Sequence, residues 1–218
     1  MIDLTSTGLT LNFRPGFGLA HLRTAAKLSK LCRDVEIENE GSELGRFFDD
    51  LTDYSTACVM SCVASLEAYI NEVFIDRGEH FESHDIKLMD DLWGVLETKS
   101  VLDKFQFALL LKNKEKLDPS SRVVDHIRVV IKLRNSLVHF KPEWVHMQKE
   151  HNKIGKALNG KFEMSPFLSP AEPIFPLRCM SHSMTRWAVR SSYDFIELFS
   201  NASKIENRIY KFKNLFDL

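Results

Sequence analysis

Within the run Arg134-Asn135-Ser136-Leu137-Val138-His139, a guanidinium, an amide and an imidazole sit in a stretch otherwise apolar enough to be a buried helix. Those groups suit the cleavage of RNA without a metal. An unperturbed imidazole titrates at about pH 6.5, so it can take the proton of a 2′-hydroxyl or give one to a leaving 5′-oxygen. A fixed cation holds the phosphate as negative charge builds on it. His139 and Arg134 fit these two roles. Asn135 suits a supporting one, orienting the imidazole or donating to a phosphate oxygen.

Their spacing carries a second constraint. Val123, Ile127, Val130, Ile131, Leu137 and Val138 recur at helical intervals and form one apolar stripe at about 100° per residue, with Arg134 in its middle. A guanidinium does not lose its charge, so a helix turning one toward its packing face must supply a partner, a water-filled cleft or a second subunit. Glu67, with Asn71 one turn on, lies at the edge of the most apolar segment of the chain and is the carboxylate expected to pair with Arg134. Asn135 and His139, four residues apart, share a ridge with Arg128 and Lys132, two cations placed to hold an RNA backbone.

The elements that must position these residues read as helices. Apolar spacing predicts a helix over 19–35, then a long one over 43–76 capped by Ser42, which grows apolar around most of its girth. Ser83 and Ser100 are read as caps of helices over 85–98 and 101–117, with Gly78 closing the long helix. The motif helix is expected over 121–141, stopped by Pro142. A Pro-rich excursion over 143–177 contains a short helix at 149–158, and a final helix follows over 177–204. The first residues, through Leu9, Leu11 and Phe13, suit a short extended arm or strand. The fold expected is all-α, an up-and-down antiparallel helical bundle with a helical N-terminal extension. Residues 1–42 are the arm and helix packing on it, and residues 43–218 are the bundle with its excursion.

The text Ala64-Ser65-Leu66-Glu67-Ala68-Tyr69-Ile70-Asn71-Glu72-Val73-Phe74, together with Arg134, Asn135, His139, Pro142 and Trp144, resembles the higher eukaryotes and prokaryotes nucleotide-binding (HEPN) family over roughly residues 43–204. The signature of that family is an Arg, a polar residue such as Asn, and a His a few positions on, near the end of the third main helix. The resemblance implies a homodimer in which two motif helices face a shared cleft. It also implies metal-independent endoribonuclease activity yielding a 2′,3′-cyclic phosphate, in toxin, defence or RNA-processing systems, where an antitoxin protein can be a partner. Other members are non-catalytic, so a nucleotide- or RNA-binding or dimerisation module is the alternative.

Composition sets the outer bounds. With 218 residues, 44% of them hydrophobic, the chain can bury a substantial core. A formal charge of -1 excludes a generally basic nucleic-acid coat, so contact with RNA must come from a local patch. Residues 1–13 lack a basic leader pattern and no uninterrupted apolar run suits a membrane span, which gives the expectation of a soluble, cytoplasmic protein without membrane contact. Cys32, Cys58, Cys62 and Cys179 have no second pair of ligands at matching spacing, so they read as buried free thiols, with no metal and no cofactor expected. His126, His146 and His151 read as structural or exposed, and Trp93, Trp144 and Trp187 as core or lid anchors that pack.

Overall fold

Small side chains set the distance between the first two long helices. In a computed structural model, which describes residues 2–4, 9–11, 15–82, 84–144 and 149–215, α1 spans Phe17–Glu38 and α2 spans Phe47–Ile75. They pack antiparallel: Gly18 at the start of α1 meets the backbone of Tyr69 near the end of α2, and Cys32 near the end of α1 meets Ser55 near the start of α2. A Cβ on Gly18 would lie 3.1 Å from Tyr69 Cα and N, so glycine is required by proximity. The Ser65 hydroxyl donates to the Gly18 carbonyl at 2.7 Å, satisfying a polar group inside this contact.

The remaining α-helices among the described residues are α3 (Arg77–His80), α4 (Ile86–Leu96), α5 (Val101–Leu111), α6 (Arg122–Val138), α7 (Lys149–Leu158) and α8 (His182–Ser203), with short π- and 3-10-helical turns at Ile174–Arg178 and Tyr210–Leu215. The chain is an all-α helical bundle whose four walls are α1, α2, α6 and α8, with α5 closing one side against α2 and α8. The N-terminal helix expected to pack on the bundle is thus one of its walls. A short antiparallel hairpin precedes it, Ile2–Leu4 on Leu9–Leu11 with Ile2 opposite Leu11. α2 is long and apolar enough in composition to cross a membrane, and here 56% of its most apolar stretch is buried, with α1, α5, α6 and α8 packed against the helix. Near its C-terminal end aromatic rings cluster: Phe105 of α5 lies edge-on to Phe195 and Phe199 of α8 at 4.9 and 4.8 Å, with Tyr69 stacked beside it.

Several boundaries differ from the sequence reading, each for a local reason. α2 starts at Phe47 with Arg46 as its N-cap, not after Ser42, because residues 42–45 are irregular and the first backbone bonds of the helix run from Phe48 N to Gly45 O and from Asp49 N to Arg46 O, with the Phe47 ring edge-on to Phe167 at 4.7 Å. Gly78 lies inside the single turn of α3 and does not close α2. The cap of α4 is Asp85, whose carboxylate accepts from Leu88 N; the expected cap Ser83 lies outside the described residues. α5 stops at Leu111, since Asn113 turns left-handed at φ 52° and the Gln106 amide accepts from the backbone N–H of buried Leu117. α6 ends at Val138, making His139 its C-cap, and α8 starts at His182, capped by Ser181. Ser100 and Ser121 cap α5 and α6, with their hydroxyls accepting from Asp103 N and Val124 N.

The excursion after α6 is tied down by packing. Phe175 is buried, Ser165 N donates to Arg178 O at 2.8 Å, and the Ser181 hydroxyl donates to Glu163 O at 2.8 Å. All four cysteines are free and buried; burial pushes the Cys32 thiol up to about 11 and Cys179 up to about 12, which leaves them unreactive.

The start of α1 depends on a carboxylate from another helix. Glu72 Oε1 accepts from Phe17 N at 2.6 Å and from Gly18 N at 2.8 Å. Glu72→Ala orphans both donors and should lower stability by about 1–2 kcal/mol, read as a fall in the urea midpoint at unchanged slope.

Candidate active site

α6 presents two distinct faces. Arg128, Lys132, Asn135 and His139 follow one another at three- and four-residue steps and all four are exposed, forming a continuous polar ridge. Ile127, Val130 and Leu133 are buried on another side against α2 and α8, as is Val124 nearer the start of the helix. Arg134, one turn beyond Val130, lies on that packing side, half-buried, and its Nε is sealed from solvent with no hydrogen-bond partner. Among the described residues it makes no ion pair either.

The carboxylate expected to serve it is engaged elsewhere. Glu67 Oε2 accepts from Lys104 Nζ at 3.3 Å, and Asn71 Oδ1 accepts from the same ammonium at 3.0 Å. Lys104 belongs to α5, its side chain is only 5% exposed, and its Nζ lies 5.8 Å from the centre of the Trp93 ring. Pairing of Glu67 with Arg134 is therefore corrected: Glu67 neutralises a buried lysine at the α2–α5 contact, and Asn71 accepts a hydrogen bond from it. The sequence signal that was missed is Lys104 itself, which falls among Val101, Phe105, Ala108 and Leu109 on the inward face of α5.

Around the motif the structure exposes apolar surface. Val138 is 50% exposed, Phe140 44% and Trp144 76%, so Trp144 is not a packing anchor within this chain. Phe140 is stacked on one side against His151, ring centres 5.3 Å apart. His151 is buried, with Nε2 donating to Lys141 O at 2.9 Å, while Glu143 accepts from Glu150 N and His151 N at the start of α7. His139 is thus followed by a short segment held in place at Phe140, Lys141 and Glu143.

The other expected residues stand as follows. Asn135 and His139 make no side-chain hydrogen bond to each other, so Asn135 does not orient the imidazole within one chain. Arg128 Nη1 donates to Pro119 O at 3.0 Å, tying it to the turn before α6 and leaving its other N–H groups outward. Lys132 is exposed, and its carbonyl accepts from the Ser136 hydroxyl. His146 lies outside the described residues, whereas His126 accepts from Trp187 Nε1 at 3.2 Å. Asp76, Glu79 and His80 bring possible metal-ligand atoms within 4.8 Å of one another, but Arg208 already pairs with both carboxylates, at 2.8 and 3.5 Å. A divalent cation there would have to displace a guanidinium.

Two predictions follow from these buried groups. Because Glu67 keeps 35% of its side chain in water while Lys104 keeps 5%, removing either partner is unequal. Glu67→Ala strands a buried ammonium and should cost about 2–3 kcal/mol, whereas Lys104→Met lets the carboxylate hydrate and should cost less than about 1 kcal/mol; equal urea midpoints for the two variants would contradict the assignment. Burial lowers the pKa of His80, His126 and His182 below the ordinary imidazole value, with the Lys161 and Arg122 charges adding to the effect at His126. A histidine that binds its proton less readily when folded gives stability that is complete above the unfolded value, declines below it, and is lost as pH falls through the folded value. Stability should therefore decline between about pH 7 and pH 5, and His126→Gln should flatten part of that decline in denaturation curves. Compared with models of known protein families, with curated proteins and with solved structures, the chain matches none.

Proposed function

We propose that this chain is a metal-independent endoribonuclease that acts as a homodimer through Arg134, Asn135 and His139. The observation that carries the reading is Arg134. A half-buried guanidinium whose Nε is closed off without a partner is costly in an isolated chain, and an anion from outside the chain removes that cost. The scissile phosphate of RNA is such an anion. It would meet Arg134 on the helix that also exposes Asn135 and His139, beside the apolar Val138, Phe140 and Trp144 that a second copy can cover.

The chemistry follows from those groups. One imidazole removes the proton of the 2′-hydroxyl, whose oxygen attacks phosphorus as the bond to the 5′-oxygen breaks. The imidazole of the second copy gives its proton to that leaving oxygen. Arg134 stabilises the charge on the non-bridging oxygens, Asn135 donates to one of them, and Arg128 and Lys132 hold neighbouring phosphates along the ridge. The products are a 2′,3′-cyclic phosphate and a 5′-hydroxyl. In a toxin or defence setting, a protein that covers the ridge of α6 would act as the antitoxin.

His139→Ala should reduce cleavage of a labelled single-stranded RNA by at least about a hundredfold, with helical content and dimer mass unchanged. A 2′-deoxy sugar at the cut position should block the reaction, and a chelator should leave it intact. Cleavage that persists in His139→Ala, or across a 2′-deoxy position, would overturn the proposal. RNA bound tightly by both wild type and His139→Ala without products would favour the binding-module alternative.

A further inference from the structure

On the other side of α6, near its N-terminal end, the chain forms a cleft of about 570 Å³ between α6, α8 and the segment after α7. That volume suits a small ligand. Four cations line it: Arg122 from α6, Lys161 from the loop, and Arg186 and Arg190 from α8, against the single carboxylate of Asp194. In a chain of net charge -1 this is a strong local concentration of positive charge. Two of the four are answered, since Lys161 pairs with Asp125 at 2.6 Å and Arg190 with Asp194 at 3.1 Å. Arg122 and Arg186, which reach the cleft from opposite walls, have no ion-pair partner among the described residues.

The same cleft has an aromatic wall. Trp187 lies 5.2 Å from Phe162 and 5.7 Å from His126, centre to centre. Trp187 Nε1 donates into His126 Nδ1, so a neutral His126 carries its hydrogen on Nε2 and offers a donor without a charge. Arginines without an ion pair on two walls, the His126 imidazole, and the edge of a tilted Phe162–Trp187 pair match a ligand having a doubly charged terminal phosphate and an aromatic base.

We infer that this cleft binds a nucleoside 5′-phosphate, and that it is separate from the ridge bearing His139. The phosphate sits between Arg122 and Arg186, and the base lies against Phe162 and Trp187. Two sources share this chemistry, a free nucleotide and the 5′-phosphorylated end of an RNA strand. The inference does not depend on cleavage.

Calorimetry on the full chain tests it, with adenosine 5′-monophosphate, adenosine, and one RNA oligomer carrying either a 5′-phosphate or a 5′-hydroxyl as probes. The monophosphate should bind and adenosine should not. The exposed pair Arg122→Ala/Arg186→Ala should weaken binding by at least about tenfold, while His139→Ala should bind as wild type does. Tighter binding of the 5′-phosphorylated oligomer than of the monophosphate assigns the cleft to strand ends, and equal binding assigns it to the free nucleotide. Absence of heat with every phosphate probe, equal binding of adenosine, or undiminished binding in the double variant would overturn the inference. Weakened binding in His139→Ala alone would also overturn it, by moving the ligand to the other face of α6.

Discussion

The close contact of α1 with α2 governs much of this molecule. With Gly18 against the Tyr69 backbone, and Ala25, Ala26, Ser29 and Cys32 buried along α1 beside Leu22, α2 lies close against α1. Polar groups on its flanks must then be met by protein atoms. Glu72 meets the first N–H groups of α1, Ser65 meets the Gly18 carbonyl, and Glu67 with Asn71 meets Lys104. Each of these contacts satisfies a desolvated group and also fixes where a neighbouring helix sits. Arg134, on a helix packed against the same α2, has a buried Nε without such a partner, as has the Tyr69 hydroxyl on α2 itself.

Carboxylates reaching helix starts from a distance recur through the fold. Glu72 serves α1 from α2, Glu36 of α1 accepts from His182 N at the start of α8 at 2.8 Å, and Glu143 serves α7. The positive end of a helix backbone favours a negative group there, so each contact joins electrostatics to hydrogen bonding. Burial at its site raises the Glu36 pKa, while the His151 and Glu150 N–H groups lower that of Glu143. The same device thus operates under opposite local solvation.

These long-range caps mark the limit of what the sequence displays. Periodicity locates the helices because one apolar face repeats at a fixed interval, and local hydroxyl caps such as Ser100 and Ser121 are visible because donor and acceptor are three residues apart. The α6 ridge is legible for the same reason: residues 128, 132, 135 and 139 share a side by helical geometry alone. Partners far apart in the chain are not. Glu67 looked available to Arg134 because nothing in its own helix claims it, and the lysine that does is 37 residues away. The basic cleft was hidden for a related reason, since its cations come from three segments, none of which is basic enough by itself to stand out.

The Glu143 contact also bears on how two chains can come together. Glu143 holds the first amides of α7, and His151 in turn holds the Lys141 carbonyl, so the segment leaving α6 closes into a small ring on its own chain. The segment it closes contains Trp144, 76% exposed, so a partner that covered this indole would meet a stretch already tied to its own chain at Lys141 and Glu143.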